Sequence, residues 1–275
     1  MFPSTQFAFT SPGTVAQASI ICCSLKNMTW LGDTGYNHCG LYVHGVQYTK
    51  KNGEVLHGTH MPMLFENLTD PIITGREEIA APKWGCDIDI EEKGSSRTIK
   101  MGWRGTVFGE LEFNDLVEAD PSTKPAVAKP TPDDGIFLYR YVPAVGEPGK
   151  ADAEYAVFDP YESSKWDGTT KISATDDKVG ANATSNGGAA QDQPQQNGSN
   201  SGPADHSKFS TKNAGQVRVA KNPSLKFTGH DWQKLPTIHH IAQGLADVPV
   251  FEVLEAKVEV VGSVGDVRGA RRIYE

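Results

Sequence analysis

One lysine of this sequence stands among apolar neighbours. Lys83 follows Ala81-Pro82 and precedes Trp84. If this segment is buried, the loss of hydration disfavours the charged ammonium. A neutral amine near pH 7 is what Schiff-base chemistry with a carbonyl compound requires. An exposed lysine after a turn proline is the alternative, and the lysine's immediate neighbours taken alone favour that alternative.

A charged cluster, Gly75-Arg76-Glu77-Glu78, lies shortly before this lysine. The stretch from residue 70 onward is interpreted as an apolar strand that leads into the cluster. The cluster is either a solvated strand end or a buried arginine–glutamate pair that supports a pocket wall, since the guanidinium fork fits a carboxylate. The residues favour the solvated strand end.

These motifs together resemble those of the acetoacetate decarboxylase family. Its members carry a Gly-Arg-Glu motif followed a few residues later by a Pro-Lys pair, matched here by Gly75-Arg76-Glu77 and by Pro82-Lys83. Tyr36-Asn37-His38 upstream and the pattern of residues 225–260 are similar to the family as well. The resemblance implies a β-cone or barrel that buries Lys83 as the Schiff-base nucleophile, within a homo-oligomer.

Two positions depart from the family pattern. Trp84 stands where the decarboxylases have a second lysine, so desolvation would have to activate Lys83 largely alone. His38 stands at the position of an acidic residue, and a histidine can transfer protons near neutral pH. We therefore predict Lys83 and His38 as catalytic residues. The predicted substrate-binding residues are Arg76, Glu77, Trp84 and Tyr36.

Two functional hypotheses of different classes follow. In the first, the protein is a lyase that forms a Schiff base with a keto acid or related carbonyl compound, for decarboxylation or a related C–C or C–O lyase step, with a secondary-metabolite pathway as one setting. In the second, it is a barrel that binds a small molecule without imine chemistry, as an isomerase, cyclase or accessory binding protein. A catalytically inactive scaffold is a third alternative. No cofactor is expected under any of them.

The elements that must position these residues are mainly strands. Short apolar or alternating runs at 18–25, 41–48, 54–63, 86–90, 98–112, 135–142, 153–158 and 251–261 are separated by turn residues. Asn52-Gly53 favours a hairpin between the second and third runs. A helix is predicted over 235–245, where Ile238, Ile241, Ala242 and Leu245 share a face. The pattern is typical of a sandwich or barrel.

Composition limits the fold class and the number of domains. The chain has 275 residues, 38% of them hydrophobic, with 28 glycines and 17 prolines, which excludes a helical bundle or coiled coil. Residues 121–132 form a Pro-rich linker pattern, and residues 180–203 lack large apolar side chains. We predict one β domain over 1–275 with a disordered low-complexity insertion at 171–215.

The net charge of −8 argues against nucleic acid and anionic membranes as partners, because both are polyanions. A small-molecule carbonyl substrate remains the expected partner. The four cysteines, Cys22, Cys23, Cys39 and Cys86, show no regular framework and are interpreted as reduced thiols, consistent with a cytoplasmic location. The spacing of His57 and His60 does not favour a metal site.

Overall fold

Strands make up most of the computed structural model, which describes residues 2–11, 13, 15–120, 130–161, 215–262 and 270–274. Within these ranges there are thirteen strands and two α-helices. The strands are β1 Phe7–Phe9, β2 Ala18–Met28, β3 Thr34–Thr49, β4 Val55–Glu66, β5 Lys83–Gly85, β6 Asp87–Lys93, β7 Ser96–Trp103, β8 Thr106–Glu118, β9 Gly135–Pro143, β10 Ala151–Pro160, β11 Val217–Phe227, β12 Lys257–Glu259 and β13 Arg271–Arg272. The helices are α1 Thr69–Ile79 and α2 His239–Ala246.

The strands form two sheets that curl partly into a half-barrel. The first sheet has the order β1-β3-β4-β9-β10-β13, with β2 also paired to β3 and β5 paired to β4. The second has the order β12-β11-β8-β7-β6. The predicted mainly-β fold is confirmed.

The largest apolar core lies between the two sheets. Cys39 and Phe65 of the first sheet pack there with residues of β6, β7, β8 and α2. Because side chains alternate along a strand, their neighbours His38 and Glu66 point to the opposite face of the first sheet. The polar side chains of β3 and β4 thus occupy a face of their own.

The hairpin between β3 and β4 is confirmed, with Lys50 and Glu54 closing the turn around Asn52-Gly53. The interpretation of residues 70–79 as a strand followed by a charged cluster is wrong. This segment is helix α1, which begins with Asp70 in its first turn and Pro71 close behind it. Both residues suit a helix start, since proline needs no hydrogen-bond partner there and a carboxylate complements the helix dipole.

Three further boundaries differ from the sequence prediction. The run 98–112 is divided between β7 and β8 by a turn at Arg104-Gly105. Helix α2 begins four residues later than predicted, although Ile238, Ala242 and Leu245 are buried as expected. In the run 251–261 only β12 is a strand: it pairs with Val217–Val219 of β11, and the last bond of this ladder runs from Ala220 N–H to the Ala256 carbonyl oxygen, so residues 251–255 have no ladder partner although β11 continues to Phe227.

The predicted insertion at 171–215 lies outside the described residues except for Gly215, and most of the Pro-rich segment lies outside them too. The assignment of the chain to a single domain therefore stays a prediction. Within the described ranges, neither helix has the length and apolar character needed to cross a bilayer.

The expectation of four reduced cysteines is wrong for two of them. Cys22 and Cys39 are direct partners in the β2–β3 register, with Cα atoms 4.1 Å apart, and their sulfurs form a disulfide. The two cysteines are 17 residues apart in the sequence, and only the pairing of β2 with β3 brings them together. Cys23 and Cys86 are free thiols.

This pairing predicts the alkylation stoichiometry of the purified protein. Unfolded in denaturant with iodoacetamide but without reductant, the chain should gain two carbamidomethyl groups, on Cys23 and Cys86. After reduction it should gain four. Intact-mass spectrometry gives the count, with Cys23→Ser as the control that lowers each count by one. Four groups without reductant would contradict the bridge.

Candidate active site

The side chains of Lys83 and Glu66 meet in the interior of the protein. Lys83 opens β5, which runs parallel to the end of β4 with Leu64 opposite Lys83 and Glu66 opposite Gly85. A parallel pair needs a crossover, and α1 provides it. The Lys83 Nζ lies 2.8 Å from Glu66 Oε1, with Lys83 9% exposed and Glu66 1% exposed.

Helix α1 also shapes the space that holds the lysine. Lys83 Nζ donates a second hydrogen bond to the carbonyl oxygen of Pro71, at 2.9 Å. A Cβ at Gly75 would lie 2.3 Å from Lys83 Cε and 2.5 Å from Nζ, so only glycine leaves room for the side chain. Arg76 Nη1 donates to the Lys83 carbonyl oxygen at 3.0 Å. The first two residues of the Gly-Arg-Glu motif therefore both position Lys83.

The lysine's partners carry unsatisfied polar atoms. His38 is the direct cross-strand partner of Glu66. Within the described part of the chain, Glu66 Oε2 and His38 Nδ1 are buried without a hydrogen-bond partner. An unsatisfied buried polar atom costs about 1–3 kcal/mol, so a polar group or a water molecule that hydrogen-bonds these two atoms would stabilise the protein.

Burial shifts the titration of both partners. It raises the pKa of the Glu66 carboxyl, against the opposing hydrogen bond and charge of Lys83. Burial, followed by the charge of Lys83, lowers the pKa of His38 to about 4. At neutral pH His38 is therefore a neutral imidazole, which accepts a proton only transiently.

Phenol and thiol groups extend this polar face along β2 and β3. Tyr36 lies beside His38, with ring centroids 6.2 Å apart, and burial together with Glu66 and Cys23 raises its pKa to about 12. Cys23 is the cross-strand partner of His38, and burial raises the pKa of its thiol. Tyr42, two positions beyond Gly40, has its pKa raised by burial and also by Cys23 and Glu66. These groups stay neutral at pH 7 and can offer hydrogen bonds.

The remaining predicted residues surround Lys83 less directly. Arg76 binds the lysine's backbone, and its guanidinium carbon lies 5.7 Å from the Trp84 ring centroid. Glu77 is 68% exposed and pairs with Arg140 at 3.2 Å, so Arg76 and Glu77 do not pair with each other. Trp84 points away from Lys83, packs against the core between the sheets and contacts His240. The structure thus brings Lys83, His38 and Tyr36 together.

The sequence analysis missed Glu66. The available signal was a carboxylate that directly ends the apolar run Met61–Phe65, because an acidic residue at the end of a buried strand needs a buried partner. The partner could not be identified because α1 was interpreted as a strand, which hid the crossover. Glu66 provides, from the next strand, the carboxylate that position 38 lacks.

The family profile of acetoacetate decarboxylase (ADC) matches residues 11–181 of the sequence, which is more than half of the chain and includes β4, α1 and β5. The chain belongs to the acetoacetate decarboxylase family. No curated protein matches this sequence closely enough to count as a relative.

Solved structures of the family are similar to this chain at low identity. An acetoacetate decarboxylase from Legionella pneumophila shares 15% identity with a TM-score of 0.39, covering 57% of this chain and 56% of its own. Another acetoacetate decarboxylase shares 11% identity with a TM-score of 0.44, covering 88% and 69%. The enduracididine biosynthesis enzyme MppR, with HEPES buffer bound, shares 12% identity with a TM-score of 0.33, covering 47% of each chain. This chain thus spans about half the length of some of these relatives.

His57 and His60 both lie on β4, and because side chains alternate along a strand they point to opposite faces. His60 is buried, and its Nδ1 lies 3.3 Å from the carbonyl oxygen of Phe137. No group of three or more His, Cys, Asp or Glu that could hold a metal ion occurs in the described ranges.

The packing of Lys83 against Gly75 predicts the effect of one methyl group. Gly75→Ala should push the Lys83 amine out of its contacts with Glu66 and the Pro71 carbonyl oxygen, and so make Lys83 react severalfold faster with an amine reagent, because the buried and hydrogen-bonded amine of the unsubstituted protein is shielded from it. Gly85→Ala is the matched control, since its Cβ would make an ordinary 3.6 Å contact with Ile72. Timed modification with an amine reagent, read by peptide mass spectrometry, measures both rates. Equal rates in the two variants would contradict the positioning role.

Proposed function

We propose that this protein is an enzyme that forms a Schiff base between Lys83 and a keto acid or related carbonyl compound, followed by decarboxylation or a related lyase step. Membership of the acetoacetate decarboxylase family supports a lyase-like activity. The observation that carries the proposal is the buried contact of Lys83 Nζ with Glu66 Oε1, beside the unpartnered atoms of Glu66 and His38.

The contact with Glu66 supplies the proton transfer that imine formation needs. A lysine attacks a carbonyl carbon only as the neutral amine. Glu66 can take the ammonium proton directly across the 2.8 Å contact, and the raised pKa of its buried carboxyl makes it a stronger proton acceptor than an exposed glutamate. In this protein a carboxylate thus performs the activation that desolvation alone was expected to perform.

The subsequent steps use the groups on the same face. The amine adds to the carbonyl carbon, and water leaves with a proton from the protonated Glu66. The protonated imine then accepts the electron pair released when CO2 departs, and the resulting enamine carbon takes up a proton. His38, neutral because of its lowered pKa, relays that proton, and Tyr36 hydrogen-bonds the substrate's oxygen atoms.

A second candidate function is non-covalent binding of a small molecule, with isomerase, cyclase or accessory activity. The two hydrogen bonds of Lys83 Nζ, to Glu66 and to the Pro71 carbonyl oxygen, favour it, since both hold the amine as a charged donor. In this alternative the ammonium binds a carboxylate of the ligand and no covalent bond forms.

Borohydride trapping separates the two candidates. A panel of 2-keto and 3-keto acids with sodium borohydride should leave an adduct on Lys83 for at least one compound, and peptide mass spectrometry locates it. Glu66→Gln should lower the trapping rate on the order of 100-fold or more, since general base catalysis contributes about that much. Lys100→Ala, which removes an exposed lysine paired with Glu110, should trap at the rate of the unsubstituted protein.

Failure of every keto acid to label Lys83 in the folded protein would overturn the Schiff-base proposal. Binding of the same acids without an adduct, measured by calorimetry and abolished in Lys83→Met, would support the non-covalent alternative. The homo-oligomer and the absence of nucleic acid and membrane partners stay predictions. So does the cytoplasmic location, and the Cys22–Cys39 disulfide weighs against it because such bonds are rare in the cytosol.

A further inference from the structure

A second polar cluster links four residues of the first sheet and its flanking loop. Ser19 Oγ of β2 lies 2.7 Å from His44 Nε2 of β3. His44 Nδ1 lies 2.9 Å from Thr59 Oγ1 of β4. The Thr59 hydroxyl lies 3.2 Å from both carboxylate oxygens of Asp133. We call these four residues the serine relay.

One assignment of protons connects all four groups of the serine relay. With Asp133 as a carboxylate, which only accepts, the Thr59 hydroxyl donates its single proton to Asp133. Thr59 Oγ1 must then accept from His44, which places the histidine's proton on Nδ1. His44 Nε2 is left as an acceptor, and the Ser19 hydroxyl donates to it. Tyr161 is also hydrogen-bonded to Thr59.

This is the arrangement of an activated serine. A base within hydrogen-bond reach of a hydroxyl, itself oriented by a third group, is the general form of a nucleophile–base pair. His44 and Thr59 are buried, at 3% and 1% exposure, so their orientation is fixed by packing. A hydroxyl inserted between histidine and carboxylate transmits orientation in the same way as a direct contact.

Ser19 is the member of the serine relay that an external molecule can reach. It is half-buried on β2, which pairs with β3 alone among the described strands. Ser19 lies on the same face of β2 as Cys23, because side chains alternate along a strand, while Ile20 and Cys22 pack on the opposite face with Leu225 and Phe227.

We propose that Ser19 is a nucleophile that accepts the acyl group of carboxylic esters. Ser19 Oγ bonds to the ester carbonyl carbon while its proton moves to His44 Nε2. The C–O bond to the alcohol then breaks, and the alcohol leaves with that proton. Water, deprotonated by the same His44 nitrogen, releases the carboxylic acid and restores the serine.

The serine relay is distinct from the lysine site. Ser19 and Cys23, the partner of His38, are four residues apart on β2, which places them about 13 Å apart along the strand. The proposed acyl transfer at Ser19 can therefore be tested independently of Schiff-base chemistry at Lys83.

An alkyl fluorophosphonate tests the serine relay on the full chain. Attack by Ser19 Oγ forms an O–P bond, expels fluoride and passes the proton to His44. In the folded wild-type protein we expect the label on Ser19, located by peptide mass spectrometry, with selectivity lost in urea. Ser19→Ala should remove the label, and Ser24→Ala, an exposed serine on the same strand, should leave it unchanged.

Substitutions of Thr59 distinguish a role of its hydroxyl in orienting His44 from a role in packing alone. Thr59→Val keeps the shape but removes the hydroxyl, and it should slow labelling on the order of 100-fold, whereas Thr59→Ser should retain most of the rate. His44→Gln should slow it as well. Absence of label on Ser19 in the folded wild-type protein would overturn the proposal, as would a labelling rate unchanged in folded Thr59→Val. Because the wild-type result needs no variant, poor folding of one substitution leaves the test decisive.

Discussion

The buried contact between Lys83 and Glu66 is the interaction around which the first sheet is organised. Moving either charge out of water costs several kcal/mol, and only a close, hydrogen-bonded partner offsets that cost. The chain supplies the partner by a crossover through α1, which returns β5 alongside the end of β4. Gly75, which has no Cβ, leaves the space that the lysine side chain occupies.

The alternation of side chains on β3 and β4 separates stability from chemistry. One face carries Cys39 and Phe65 into the core between the sheets, and the Cys22–Cys39 disulfide ties β2 to the same face. The other face carries His38 and Glu66. The packed face that carries Cys39 and Phe65 can therefore offset the cost of the unsatisfied polar atoms of His38 and Glu66 on the opposite face, whose hydrogen bonds a substrate would complete.

Features that depend on local sequence patterns were predicted, whereas contacts that depend on the pairing of distant strands were not. Lys83 and His38 were predicted as catalytic residues from their neighbours and a family motif, and most strands were predicted from alternation. Glu66 could not be paired with Lys83, because their contact depends on a parallel register and on a helix that was interpreted as a strand. Trp84 was predicted as a substrate-binding residue next to Lys83. Adjacent residues on a strand face opposite sides, however, and Trp84 packs against the core between the sheets.

A double-mutant cycle on the free energy of unfolding tests the Lys83–Glu66 contact most directly. Lys83→Met and Glu66→Gln should each destabilise the protein by about 3–5 kcal/mol, because each leaves a buried charge unpaired. The double variant should cost at least 1 kcal/mol less than their sum, within the ~0.5–3 kcal/mol range of contacting residues. The exposed pair Lys100–Glu110 serves as the control, with coupling below about 1 kcal/mol. Additivity of Lys83 and Glu66 within about 0.5 kcal/mol would contradict the account.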